Sequence, residues 1–563
     1  MSTPSGTPVL RRPLLLLWAL AAALPVLYIL SQVIASSRNI VFWDEFNSLD
    51  FVLRLDRHLG WRELIDRFFS IDSEHRTVTT RLIFALTYWV TGSINFHLIG
   101  AIGNLSLVAL CAVLIARMES ADRRARFAVV IAFGLFQLEH FESFVWSGAS
   151  IDHFMVLFFA GAAFVALQHP SWPGTVAAMV LAFLATFTLA QGCVTWPVGA
   201  AILWRERRWR HLNGWLACAV LVLGLYLRGF SVHPEHRLGA IQPAELARLA
   251  EYWLALLGSA AVLGQRVLAP WAGAVLLALN AWLLARRTWR REPIAMPVAW
   301  FGIGALAMVA LGRVAVAPHE INSRYFVLSA LAWTMTVFMV LESLRQPERP
   351  FRVLVFALPV LTFFNVAANA RFAPQVASFV EARERAASRF AQFGQDGRGV
   401  SRLNPFEGRA EDVLARAEML GVYRLPRYSK RVEFPFAQPG TRINFAIDEV
   451  VANDRAVSVQ GWATVPGRLS RAGQVFVVLR SPKTLLVFSA LTQRRPDVVQ
   501  AYREPRFMRS GFCAVIDRGE LPAEDFDVGL LTTIDGRAEY TMTAHRVLLS
   551  SAVPGVARLA SRE

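Results

Sequence analysis

Residues 11–46 read RRPLLLLWALAAALPVLYILSQVIASSRNIVFWDEF. Two arginines lead into an apolar run, 13–35, of the length a helix needs to cross a bilayer, about 20 residues. It is too long for the apolar stretch of a typical signal peptide, and no convincing small-residue cleavage site follows it. The run is therefore read as an uncleaved span. Directly after it, Val41-Phe42-Trp43-Asp44-Glu45-Phe46 sets two adjacent carboxylates among aromatic rings.

The rest of the chain extends the apolar pattern. Of 563 residues, 55% are hydrophobic and 18% charged, against roughly 25% charged in soluble domains. The mean hydropathy is +0.40. These values exclude both a string of soluble domains and a disordered chain. Eleven segments are candidate spans: 13–35, 96–117, 126–143, 151–168, 172–190, 193–205, 213–230, 266–286, 294–314, 325–345 and 351–370. Two more apolar stretches, 78–92 and 247–262, are assigned to helices lying on or dipping into the outer face.

Charge orients these spans. The net charge is +16, and Lys430 and Lys483 are the only lysines. Arginines cluster at 11–12, 117–126, 205–210, 286–291 and 345–352. With eleven spans and the N-terminus inside, every cluster falls on the cytoplasmic face, as the positive-inside rule requires. The basic balance then needs no nucleic-acid partner. Cys111, Cys193, Cys218 and Cys513 form no CxxC pair or zinc spacing, so neither a disulfide framework nor a zinc finger is expected.

After residue 371 the spans stop. Residues 371–439 read as a helical linker containing VEARERAASRFAQF and EDVLARAEMLGVYRL at helical spacing. From 440 to 563 short runs alternate apolar and polar residues between turns, as in INFAIDEVVANDRAVSVQGWATV and QVFVVLRS. That pattern predicts an antiparallel β-sandwich. The expected architecture is a polytopic α-helical membrane domain over 1–370, with a first outer loop at 37–95 and juxtamembrane helices, then the linker and the all-β domain. Both of the latter would lie outside the membrane on the periplasmic side.

The outer loops collect titratable groups: His58, His75, His140, His153, His233, His236 and His319, with Asp44, Glu45, Glu74, Glu139, Glu142, Asp152, Glu235 and Glu320. Ionisable groups close to a bilayer are costly and usually have a task. Asp44 and Glu45 are the leading pair, one as a general base and the other as a ligand for substrate or metal. Burial against Phe42, Trp43 and Phe46 would raise a carboxylate pKa toward a useful range. No glycine-rich phosphate loop or hydrolase nucleophile elbow is present.

An acid pair just after span one, followed by amphipathic helices at 47–58 and 61–69 and then many spans, resembles the GT-C superfamily of membrane glycosyltransferases. These include aminoarabinose transferases, protein O-mannosyltransferases and oligosaccharyltransferases. The segment TRLIFALTYWVTGSINFHLIGAIGNLSLVALCAVLIARM, residues 80–118, is similar to their stretch after the first loop. It follows Ser73-Glu74-His75-Arg76 where the aminoarabinose branch has a Lys-Pro-Pro-Leu-type motif. Three further segments resemble a bacterial GT-C-like group: Gln137 to Trp146 with Glu139, His140 and Glu142; Ala190-Gln191-Gly192 with Trp196-Pro197; and Gly312-Arg313 through Asn322-Ser323-Arg324-Tyr325.

The resemblance implies sugar transfer from a polyprenyl-phosphate donor to an envelope glycan, lipid or protein acceptor, on the periplasmic side of a bacterial cytoplasmic membrane. It implies Asp44 and Glu45 as catalytic acids, and Glu74, His75, Arg76, Glu139, Arg313, Arg324 and Tyr325 as substrate-binding residues. Glu45 and His319 are candidate ligands should a divalent metal take part; no other cofactor is indicated. Two other readings stand beside this one. One is an O-antigen polymerase or ligase, which typically places its main outer loop late in the chain. The other is a lipid or glycan transporter, for which an internal repeat is expected; none is apparent.

Overall fold

A computed structural model describes residues 11–55, 60–71, 75–230, 242–315, 320–345, 352–393, 403–404, 407–426, 429–434, 437–440, 442–453, 456–465, 475–534, 537–549 and 559–561. Of the residues singled out above, His58, Glu74, His233, Glu235, His236 and His319 lie outside them. The chain divides into two compact units. One comprises Met1–Arg38 and Asn47–Ser378, the other Asn39–Phe46 and Phe379–Glu563. The acid pair thus belongs with the C-terminal region and not with the helices around it in sequence.

The helices follow the apolar pattern closely. They are α1 (Arg11–Ser36), α2 (Glu45–Leu53), α3 (Trp61–Phe68), α4 (Val78–Thr91), α5 (Phe96–Ala116), α6 (Ala121–Leu135), α7 (Phe141–Val145) and α8 (Ser147–Ser150). A π-helical turn at Ile151–Met155 leads into α9 (Val156–Leu167), then α10 (Trp172–Thr186), α11 (Thr195–Arg205), α12 (Trp209–Leu227) and α13 (Pro243–Gly258). Next come α14 (Ala269–Ala285), α15 (Ala295–Arg313), α16 (Phe326–Ser343), α17 (Arg352–Phe393) and α18 (Glu407–Met419). Local signals set several ends. Asn95 accepts from the His97 and Leu98 amides at the start of α5, Ser120 caps α6, and Gly92 at φ 73° terminates α4, each supplying a partner or a left-handed turn that the helix end requires.

A helix lies at every one of the eleven expected spans. Length separates them. Seven helices among the described residues are long and apolar enough to cross a membrane, and eight if the bent pair Ala121–Leu135 and Leu138–Val145 is one span. Trp172–Thr186 and Ala269–Ala285 are shorter apolar helices, and α11 has only 11 residues. At 1.5 Å per residue, an 11-residue helix covers roughly half of a hydrocarbon core of about 30 Å. The other departure is α17, which continues well beyond residue 370 for 42 residues in all.

Basic residues at the helix ends are partly neutralised by buried acids. Arg123 bonds Glu292 at 2.5 Å, and Arg126 holds Glu342 through two nitrogens at 2.7 and 3.1 Å. These ties join α6 to α16 and to the turn between α14 and α15.

The second unit carries two sheets. Its strands are β1 (Ala437–Pro439), β2 (Asn444–Ala452), β3 (Ala456–Thr464), β4 (Phe476–Arg480), β5 (Leu485–Ser489), β6 (Leu491–Gln493), β7 (Gly511–Asp517), β8 (Phe526–Ile534), β9 (Arg537–Val547) and β10 (Leu559–Ser561). One sheet runs β1-β9-β8-β4-β5 with β10 also on β9; the other runs β2-β3-β7-β6. Pairing is antiparallel except between β1 and β9. Val457, Val459, Val477, Leu479, Phe488, Phe512, Ala514, Ile516, Val528 and Leu530 form the shared core. These are alternate positions along their strands, the inward set that a two-sheet packing buries. Helix α19 (Pro496–Tyr502) is inserted between β6 and β7.

Glu292 gives this fold a pH signature. Burial, outweighing Arg123, pushes its carboxyl from 4.5 up to about 7. The folded chain therefore keeps a proton that the unfolded chain releases, and stability falls as pH rises from about 4.5 to about 7. Glu292→Gln is expected to flatten that slope, worth roughly 3 kcal/mol over the interval, in melting curves of detergent-solubilised protein. An unchanged slope would contradict the assignment.

Candidate functional site

In the first unit the chain between α6 and α9 abandons regular helix, and this irregular stretch presents the polar residues. Its backbone is satisfied from neighbouring elements. Asn365 on α17 donates to the Phe133 and Phe136 carbonyls at 3.0 and 2.9 Å, and Asn369 accepts from the Leu138 amide at 2.8 Å. Asn104 on α5 donates to the Phe144 carbonyl at 3.0 Å. Gly103 lets α5 approach the π turn: a Cβ there would lie 2.6 Å from the Ser150 carbonyl carbon. π turns of this kind re-aim side chains and recur at functional sites.

What they aim is a cluster of polar side chains and aromatic rings. His153, on the π turn, packs edge-on against Tyr325 at 5.6 Å and lies in the electrostatic field of Arg324, His75 and Arg313. Tyr252 on α13 senses Tyr325, Arg313, Glu320 and Arg266 and donates to the Glu320 carbonyl at 2.8 Å. The Arg324 guanidinium sits 5.3 Å from the Trp146 and Tyr325 rings. Glu142 fixes the loop that carries it, accepting from the Ser323 hydroxyl and the Arg324 amide, both at 3.0 Å. Beside His153, Asp152 accepts from Thr80 at 2.6 Å. Guanidinium groups such as that of Arg324 suit a phosphate, whose oxygens take charge-assisted hydrogen bonds.

The expected substrate-binding residues divide accordingly. His75, Arg313, Arg324 and Tyr325 share this cluster. Arg76 is engaged elsewhere: its guanidinium donates to the Tyr226 carbonyl at 2.8 Å and to those of Phe69 and Arg228, which ties loops together. Glu139 is fully buried at the helix break, with one oxygen accepting from Gln137 at 3.2 Å and the other without a hydrogen-bond donor among the described residues. Arg371 acts on it electrostatically. Among the titratable groups, His153 and Asp152 gain most from the structure, because nothing in Ile151-Asp152-His153-Phe154 marks a π turn.

In the second unit, Asn39–Phe46 is held as a rigid turn. The Tyr423 hydroxyl donates to the Asn39 carbonyl at 2.9 Å and accepts from the Val41 amide at 3.1 Å. Arg383, 2% exposed, donates to the Ile40 carbonyl at 3.1 Å and lies 5.3 Å from the Phe42 and Phe379 rings. The Trp43 amide donates to the Leu403 carbonyl at 2.7 Å, and Asn404 donates to the Trp43 carbonyl at 3.1 Å. Glu45 is 2% exposed and accepts from the Phe42 amide at 2.7 Å, closing the turn. Asp44 is exposed at the tip.

The two acids therefore have different environments. Glu45 acts as a structural acceptor, with one carboxylate oxygen bonded to the Phe42 amide. Among the described residues no group of three or more His, Cys, Asp or Glu could hold a metal ion. Asp44 alone is open to a reacting group. Compared with known proteins, the chain matches no family model, no curated protein and no solved structure.

Tyr423→Phe tests the clamp. It removes the hydroxyl that bonds the Asn39 carbonyl and the Val41 amide, at a cost of about 1–3 kcal/mol. The Val41 amide should exchange with deuterium markedly faster than in the parent protein; unchanged protection there would show that Tyr423 does not hold the turn.

Proposed function

We propose that this protein is an integral-membrane glycosyltransferase. It takes a sugar from a polyprenyl-phosphate donor and delivers it to an acceptor hydroxyl of the cell envelope, on the periplasmic side of a bacterial cytoplasmic membrane. The N-terminus and the arginine-rich turns would be cytoplasmic and the β domain periplasmic. The observation that carries this reading is the exposed Asp44 carboxylate on a turn otherwise closed by hydrogen bonds. A general base needs such a setting: reachable, and fixed in position. Within the helical unit, Arg313 and Arg324 are the groups proposed to hold the phosphate of the donor, and the apolar helices are compatible with a lipid-linked donor.

In this mechanism Asp44 accepts the proton of the acceptor hydroxyl. The acceptor oxygen forms a bond to the anomeric carbon as the bond from that carbon to the phosphate oxygen breaks. The electron pair stays on the leaving polyprenyl phosphate. Glu45 keeps the turn in shape through Phe42.

Asp44→Asn preserves shape and removes the base. Turnover with undecaprenyl-phosphate sugars is expected to fall by about 10²–10⁴, with donor affinity retained. Arg324→Ala should weaken donor binding as well as turnover, because it removes a phosphate partner. Glu45→Gln, whose amide oxygen still accepts from Phe42, should keep most activity, and added divalent metal should not alter it. Near-parental turnover by Asp44→Asn would sink the assignment of the base.

A further inference from the structure

Trp43 has a backbone that its side chain does not favour. Its φ is 49°, in the left-handed region where a Cβ crowds the chain and glycine is the natural occupant. The residue is 42% exposed, whereas its neighbours Phe42 and Phe46 are 9% and 3% exposed. The indole therefore does not serve a core. The strain is fixed from both sides, by the bond from the Trp43 amide to Leu403 and by the bond from Asn404 to the Trp43 carbonyl. An overdetermined, strained and exposed side chain is a signature of a working position. The next residue is the exposed Asp44.

We propose that Trp43 is the stacking platform for the pyranose ring whose hydroxyl Asp44 deprotonates, so that the acceptor is a saccharide. This rests on the glycosyl-transfer reading and narrows its acceptor. A pyranose has an apolar face of C–H bonds that packs on a large flat ring, and a rim of hydroxyls that reaches past it. The indole supplies the ring, and the carboxylate one residue on supplies the base at the rim. A tryptophan that merely anchors the protein at a membrane interface has no need of a left-handed backbone tied on both sides.

The position offers a clean test, because Trp43→Gly removes the ring and relaxes the backbone at once. Full-length protein in lipid nanodiscs is assayed with undecaprenyl phosphate carrying a radiolabelled hexose or pentose. Acceptors are envelope oligosaccharides, a Ser/Thr-containing peptide and a diacylglycerol. The parent protein should glycosylate the oligosaccharides. Trp43→Gly should raise the KM for them about tenfold, in line with one aromatic contact, with the KM for donor unchanged and Tm unchanged or higher. Trp43→Phe should restore most of the loss.

Parental KM in Trp43→Gly overturns the stacking role while leaving transfer intact. So does transfer confined to the peptide or the diacylglycerol. A Tm that drops in Trp43→Gly with no selective change in acceptor KM assigns Trp43 to stability and overturns it equally. If the parent protein consumes no donor at all, the glycosyltransferase reading itself fails, a result distinct from the others.

Discussion

Every peptide group taken out of water must find a partner within the chain, and wherever this protein leaves regular helix that requirement decides its shape. At the break after α6, two asparagines one helical turn apart on α17 supply the partners, Asn365 to Phe133 and Phe136, Asn369 to Leu138. Around Asn39–Trp43 the partners are Tyr423, Arg383, Leu403 and Asn404. In both places a few groups from distant sequence satisfy backbone outside regular helix.

The two irregular stretches have opposite chemistry. The first gathers His75, His153, Arg313 and Arg324, together with aromatic rings, in the helical unit. The second presents one exposed acid, Asp44, beside an exposed tryptophan, in the unit that contains the β domain. The C-terminal region is thereby given a role in building the acid turn itself, beyond anything its strands would contribute.

Much of the architecture was legible because apolar length and alternation act locally. Every expected span holds a helix, and VSVQGWAT and FVVLR fall on β3 and β4. Length was partly legible: the segment 193–205 is already short in the sequence and holds the 11-residue α11, but nothing there reveals that α17 continues to Phe393. The site was half legible. Asp44, Arg313 and Arg324 could be chosen from residue type and position. The commitments of Glu45 to Phe42 and of Arg76 to three carbonyls depend on contacts that no sequence pattern encodes. The same holds for the left-handed Trp43, since an aromatic residue gives no warning of a positive φ, and for the membership of Asn39–Phe46 in a unit whose other residues begin at Phe379.

The central claim is that the Asp44 carboxylate accepts a proton during sugar transfer, and chemical rescue tests it most directly. Asp44→Gly removes the carboxylate, and transfer from an undecaprenyl-phosphate sugar is followed with and without added formate. The account predicts that the variant is nearly inactive and that formate, which can accept the proton in place of the missing carboxylate, restores turnover in a concentration-dependent way. Parental turnover by Asp44→Gly without formate, or an inactive variant that formate leaves unchanged while donor still binds, would contradict it.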